Sequence, residues 1–122
     1  MSKFLVNIPY LEGKDINADA TLKSYVGKGK PVVVLVYASY CHFCKDVMPT
    51  VQQLAKEAKN FGVVTIQSDA GPADKEAAKA ISKVNTSPGV PAFVGFGKDG
   101  KFAKMHLGNR DLNSLMVFGN SL

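Results

Sequence analysis

The sequence predicts one α/β domain in the order βαβαβαββα, with a mixed central β-sheet and helices on both faces. Three observations carry this. Val32 to Tyr37 is a continuously apolar, β-branched run. A helical pattern follows at once, and Val63 to Ile66 is a second such run. Two apolar strands joined through a helix make a right-handed parallel crossover. Further on, Ala92 to Phe96 and Lys101 to Leu107 flank Gly97-Lys98-Asp99-Gly100, a hairpin turn signal that ends the sheet antiparallel. No repeat, linker or low-complexity segment interrupts the chain, so residues 1–122 read as a single domain.

Taken in order, Lys3 to Ile8 carries β-branched and aromatic residues and is expected as a short first strand, bounded by Pro9 and Gly13. Asp19 or Thr21 is a candidate cap for a short helix through Tyr25 and Val26, which Gly27-Lys28-Gly29-Lys30-Pro31 ends. After the buried strand Val32 to Tyr37, Ser39 is the candidate N-cap of the next helix. Val47, Met48, Val51, Leu54, Ala55 and Ala58 form one apolar helical stripe. Pro49 interrupts that helix and removes one backbone hydrogen bond, with a kink expected near Lys45. Lys56 and Lys59 suit its C-terminal end, and Gly62 suits the C′ position. Asp74 to Lys83 is an alanine-rich helix with Ala77, Ala78, Ala80 and Ile81 on its apolar face. Asn85-Thr86-Ser87-Pro88-Gly89 is a turn cluster. Gly108 breaks the last strand, and Asn109 or Asp111 caps a final helix bearing Leu112, Leu115, Met116 and Phe118.

With 122 residues, 46% of them hydrophobic and 20% charged, the chain has the makings of a globular domain with a modest core. No apolar stretch is long enough to cross a bilayer. The opening residues have too short an apolar run for a signal peptide, which leads to the expectation of an intracellular, cytoplasmic protein without a membrane role. The net charge is +5. The lysines are dispersed and not interleaved with aromatics, so the charge reads as a solvated surface rather than a nucleic-acid footprint.

The chemistry is concentrated where the first buried strand hands over to its helix. The only two cysteines of the chain, Cys41 and Cys44, stand three apart there. C-x-x-C beside a strand–helix unit is the sequence sign of a redox motif. Residues i and i+3 of a first helical turn share a face, so the sulfurs can close a small ring without unwinding the helix. The free N–H groups of that turn and the positive end of the macrodipole favour a thiolate, which lowers the pKa expected for Cys41. Cys44, one turn in, is shielded. Cys41 is therefore the candidate nucleophile toward a substrate disulfide and Cys44 the resolving thiol. In a reducing compartment such a pair is catalytic or metal-binding rather than a structural staple. Zinc would need four ligands, for which Cys41, Cys44, His42 and His106 are the candidates. Buried inert thiols are the bland alternative.

This order, with C-x-x-C opening the second helix, resembles the thioredoxin family. Tyr-Ala-Ser-Tyr-Cys-His-Phe-Cys-Lys, residues 37–45, stands where thioredoxins have Trp-Ala-x-Trp-Cys-Gly-Pro-Cys-Lys. Pro49 matches the kinking proline of the family, Val90-Pro91 its cis-proline dipeptide facing the active-site disulfide, and Leu107-Gly108 its strand-end glycine near the site. The resemblance implies a thioredoxin fold and a protein-disulfide reductase that cycles Cys41 and Cys44 without a bound cofactor. A thioredoxin reductase or an equivalent electron donor would recycle it, and a monomer is expected. His42, Phe43 and Lys45 would tune the redox pair. Tyr40, Gly89, Val90, Pro91 and Gly108 would border the substrate, with the Val90 backbone free to pair with an extended peptide if Val90-Pro91 is cis.

The sequence departs from that pattern in three ways. His42-Phe43 replaces Gly-Pro, Tyr37 and Tyr40 replace the flanking tryptophans, and Leu35 stands where thioredoxins bury an aspartate that assists the resolving cysteine. His42 is either an exposed helix-start residue or an electrostatic tuner of Cys41. Tyr40 and Phe43 are either an apolar rim or partial core packing, and His106 reads as structural or merely surface. Two other functions stay in view: a glutaredoxin-like, glutathione-dependent reductase, and a non-catalytic binding module of the same fold.

Overall fold

The structure is a computed structural model that describes residues 5, 7–87 and 89–122. β1 (Val32–Tyr37), β2 (Gly62–Gln67), β3 (Ala92–Phe96) and β4 (Phe102–His106) form one sheet in the order β2-β1-β3-β4. β1 runs parallel to β2 and antiparallel to β3, and β3 pairs antiparallel with β4. The helices are α1 (Ser24–Gly27), α2 (His42–Glu57), α3 (Pro72–Ile81) and α4 (Leu112–Asn120). The mixed sheet is as expected, and so is the parallel crossover through α2.

All six residues of β1 are buried, because each face of the sheet is covered. Side chains alternate along a strand. Val33, Leu35 and Tyr37 join one apolar cluster with Val47, Met48, Val51 and Leu54 of α2 and Leu115 and Phe118 of α4. Val32, Val34 and Val36 join the other with Ala77 and Ile81 of α3. The α2 stripe read from the sequence is therefore the buried face, and Pro49 lies within the helix. The hairpin closes as its glycines predict: Gly97 N–H donates to the Lys101 carbonyl at 2.8 Å, and Gly100 takes the left-handed φ of 82°.

Several boundaries differ. Of the predicted first strand, Lys3, Phe4 and Val6 lie outside the described residues. Leu5 and Ile8 are buried in the α2-side core without strand pairing, and the chain then makes a single parallel bridge, Tyr10 to Thr65. The first helix starts at Ser24, later than expected, because Asp19 turns its carboxylate back onto Thr21 N–H (3.1 Å) and hydroxyl (2.6 Å). That local turn competes with capping. α2 ends at Glu57, capped by Ala58, so Gly62 is not its C′ residue but the first residue of β2. α3 begins two residues early, since Pro72 fits the first helical turn and the Asp74 carboxylate accepts from Gly71 N–H at 3.1 Å. Asp111, not Asn109, caps α4, accepting from Ser114 N–H at 2.7 Å. The Pro88 of the expected turn cluster lies outside the described residues.

Gly95 shows how tightly α4 sits on the sheet. A Cβ there would collide with Leu122, lie 2.8 Å from Phe118 Cζ and 3.0 Å from the Lys104 carbonyl. Gly95→Ala is expected to cost about 1–3 kcal/mol through overpacking, read as a lower urea midpoint at unchanged m-value. A midpoint equal to that of wild type would mean that α4 yields freely.

Candidate functional site

β1 delivers its C-terminal end to a tight turn, with Cys41 N–H donating to the Ala38 carbonyl at 3.2 Å. α2 then starts at His42. The N-cap is Cys41, not Ser39: its φ of −85° and ψ of 113° lie outside the helix, and its sulfur accepts from Cys44 N–H at 3.0 Å. A free amide of the first turn thus points at the sulfur, the arrangement that favours a thiolate over a thiol. Ser39 is diverted elsewhere. Its N–H donates to Asp69 Oδ1 at 3.0 Å and its hydroxyl to Asp69 Oδ2.

Cys41 and Cys44 are joined as a disulfide, with Cα atoms 5.2 Å apart. Cys44 is wholly inaccessible, whereas Cys41 keeps 8% of its surface exposed. Val90-Pro91 is cis, and the Val90 carbonyl oxygen lies 3.6 Å from Cys41 Sγ. The structure thus brings together Cys41, Cys44 and Val90 from two distant parts of the chain. Tyr40 and Phe43 stand out from the surface, 78% and 66% exposed, so they form a rim rather than core packing. Gly89 is exposed, with open space where a Cβ would be.

The remaining candidates are more distant or differently engaged. His42 Nε2 lies 3.5 Å from Asp46 Oδ2 one turn along, and both side chains are largely exposed. Any positive charge on the imidazole is therefore shared with a carboxylate in high dielectric. Lys45 lines a groove of about 530 Å³ with Leu5, Met48, Pro49 and Gln52. Phe43 lines a smaller cleft with Asp46, Val47, Thr50 and Arg110. Gly108 is exposed beyond the end of β4, and a Cβ built on it would touch the His106 ring at 3.4 Å. His106 packs on Phe93 and Phe118, and its Nε2 meets the Asn109 carbonyl at 2.5 Å, which is the structural role expected of it. Among the described residues, no group of three or more His, Cys, Asp or Glu side chains could hold a metal ion. No helix among them is long and apolar enough to cross a membrane.

Sequence reasoning missed Asp69. Its half-buried carboxylate is held below the usual carboxylate range by the Ser39 hydroxyl first, then by the Ser39 N–H, with Gln67 Nε2 adding a third donor at 3.3 Å. A signal was present. Asp69 stands two residues past the end of β2, as Cys41 stands four past the end of β1, and parallel neighbours bring their C-terminal ends to one edge of the sheet.

Comparison with known proteins agrees with this geometry. The Thioredoxin family model matches residues 14–120. A thioredoxin of Mycoplasmoides gallisepticum is 29% identical over 102 residues, 84% of this chain and 94% of that one. Protein disulfide-isomerase 1 of Dictyostelium discoideum is 33% identical over 94 residues, 76% of this chain and 25% of that one. The crystal structure of thioredoxin F from spinach chloroplast superposes with a TM-score of 0.67 at 17% identity, over 99% of this chain and 97% of that one. The chain spans half or less of the length of two other curated relatives it matches. The chain belongs to the thioredoxin family, and Cys41–Cys44 is its C-x-x-C redox pair.

Proposed function

We propose that this chain is a thiol–disulfide oxidoreductase that reduces disulfides in protein substrates. One observation carries the reading: Cys41 Sγ, which caps α2, receives the Cys44 N–H at 3.0 Å, and Cys41 keeps 8% of its surface exposed while Cys44 keeps none. In the reduced protein, the Cys41 thiolate attacks one sulfur of a substrate disulfide. A Cys41–substrate bond forms, the substrate S–S bond breaks, and one substrate thiolate leaves. Cys44, deprotonated, then attacks Cys41 Sγ. The Cys41–Cys44 bond forms, the second substrate thiol leaves, and two electrons have passed from protein to substrate. An extended substrate pairs with the backbone of Val90 beside Cys41, between the exposed rings of Tyr40 and Phe43. His42 and Lys45 flank the pair as modest tuners, and Gly89 and Pro91 complete the border. A thioredoxin reductase or an equivalent donor returns the electrons to a monomer working in the cytoplasm.

The test is insulin reduction. With dithiothreitol as donor, the chain is expected to accelerate precipitation well above dithiothreitol alone; no acceleration would reduce the chain to a binding module. Repeating the assay with NADPH and thioredoxin reductase, and separately with glutathione, decides the donor. Turnover with glutathione alone would overturn the thioredoxin-like assignment in favour of a glutaredoxin-like one.

A further inference from the structure

A chain of hydrogen bonds runs from the N-terminal segment to the turn that carries Cys41. Leu5 N–H meets Tyr10 Oη at 3.2 Å, Tyr10 Oη meets Tyr37 Oη at 2.8 Å, and Tyr37 Oη meets Gln67 Oε1 at 3.2 Å. Gln67 Nε2 meets Asp69 Oδ1 at 3.3 Å, and Asp69 takes both donors of Ser39. The direction of every link follows from its last member. An ionised carboxylate only accepts, so Gln67 must turn its amide nitrogen to Asp69 and its carbonyl to Tyr37. Tyr37 must then donate to Gln67, and Tyr10 to Tyr37. Aligned donors polarise one another in a low-dielectric interior, and Tyr37 and Gln67 are both fully buried.

The same end of the sheet is fastened a second time. Ser68 donates its N–H (2.8 Å) and its hydroxyl (3.2 Å) to the Tyr37 carbonyl. Residues 37 and 39, just before Cys41, are thus tied to residues 67–69 on both sides. The tie closes only if Ser39 is out of the helix-capping role, which leaves that role to the Cys41 sulfur.

We propose that Asp69 is a positioning residue for Cys41: by holding Ser39, it fixes the turn so that the Cys41 sulfur caps α2 and takes the Cys44 N–H. This rests on the reading of Cys41 as the nucleophile and names what sets its geometry. Without Asp69, both donors of Ser39 lose their acceptor, the turn that carries Cys41 is no longer held, and the sulfur loses its grip on the Cys44 amide. Among the described residues, the charged groups near the turn include Asp69 on the β2–α3 connection, His42, Lys45 and Asp46 on α2, and Arg110, which shares a cleft with Phe43 and Asp46. Removing the Asp69 charge alone would favour the thiolate, so charge and geometry push in opposite directions and can be separated.

The experiment is the pH dependence of iodoacetamide alkylation of the reduced protein. Cys44 is inaccessible, so the fast phase reads Cys41 whether or not the protein reduces disulfides; failure here is therefore distinct from failure of the proposed function. Asp69→Asn is nearly isosteric: its oxygen still accepts from Ser39 N–H, and its amide can donate to the Ser39 hydroxyl. It is expected to stay within about twofold of wild type at pH 7, whereas Asp69→Ala slows alkylation roughly three- to tenfold, with the midpoint of the profile raised by about half a unit to one unit. Ser39→Ala removes one half-buried hydroxyl, keeps the fold, and moves the midpoint in the same direction by less. An unchanged midpoint in Ser39→Ala and in folded Asp69→Ala would leave Asp69 with a purely structural role and overturn the proposal. So would a midpoint lowered equally by Asp69→Asn and Asp69→Ala, which would make Asp69 a charge and not a positioner.

Discussion

Cys44→Ser accumulates a covalent mixed disulfide with an oxidised protein substrate, and Cys41→Ser accumulates none. Both variants lose steady-state insulin reduction above background, so it is the trapped species that separates the two roles. The expectation rests on access and on electrostatics. A substrate disulfide must be approached along the S–S axis; Cys41 keeps 8% of its surface open to such an approach, whereas Cys44 keeps none. Cys41 also caps α2 and takes the Cys44 amide at 3.0 Å, which favours its thiolate. The bond to substrate therefore forms at Cys41. Cys44 lies in the first turn of the helix that Cys41 caps, with Cα atoms 5.2 Å apart, so in wild type it cleaves that bond before it can accumulate. Serine at 44 removes the resolving thiol and leaves the complex standing. Non-reducing electrophoresis and intact mass measure it. A mixed disulfide held by the Cys41→Ser variant would reverse the assignment.

Leu35→Asp is expected to destabilise the fold by about 3–5 kcal/mol, from lost apolar contact and an unpaired buried carboxyl, and to speed mixed-disulfide release by about tenfold or more through general-base assistance. Leu35 is fully buried in the same apolar cluster as Cys44, Tyr37 and Met48. Burial disfavours the charged form, so the folded-state pKa of the new carboxyl rises above its unfolded value near 3.9. The sign of the pH dependence follows. Below that unfolded value the group is neutral in both states and its penalty is least. As pH rises toward the folded pKa, ionisation favours the unfolded chain and the penalty grows. Urea unfolding at pH 4 and pH 7 should show the larger loss at pH 7. Stopped-flow release of a labelled substrate from the mixed disulfide measures the second effect. An unchanged release rate in a folded variant would show that resolution in this chain does not wait for a base.

The opposed effects at Leu35 illustrate how fold and site divide between sequence and structure. β1 was legible because six consecutive apolar, mostly β-branched residues are what burial on both faces demands. The apolar stripe of α2, the hairpin at Gly97 to Gly100 and the Asp111 cap were legible because each depends on neighbours within one turn of helix or one tight turn. Elements whose local signals compete were misjudged at their edges. Asp19 bonds Thr21 instead of capping a helix, and Gly62, which would suit a helix end, enters β2 because parallel pairing with Val32 claims it.

At the site, the spacing of Cys41 and Cys44 pointed to two sulfurs meeting at a helix start, since three residues on a helix return to one face; the structure places Cys41 at the N-cap, just outside the first turn that holds Cys44. The fold family and the candidate redox chemistry followed from that spacing and its surroundings. Only tertiary structure decided which atom caps the helix. By local preference Ser39 is the better cap, yet Asp69, thirty residues away, takes both of its donors and leaves the cap to the Cys41 sulfur. Only tertiary structure, likewise, set the Val90 carbonyl 3.6 Å from that sulfur across forty-nine residues of chain. The physical reason is range. Helix and strand periodicities are written in side chains a few residues apart, whereas the partner of a hydroxyl or a thiol is whichever group the packed sheet brings within 3 to 4 Å.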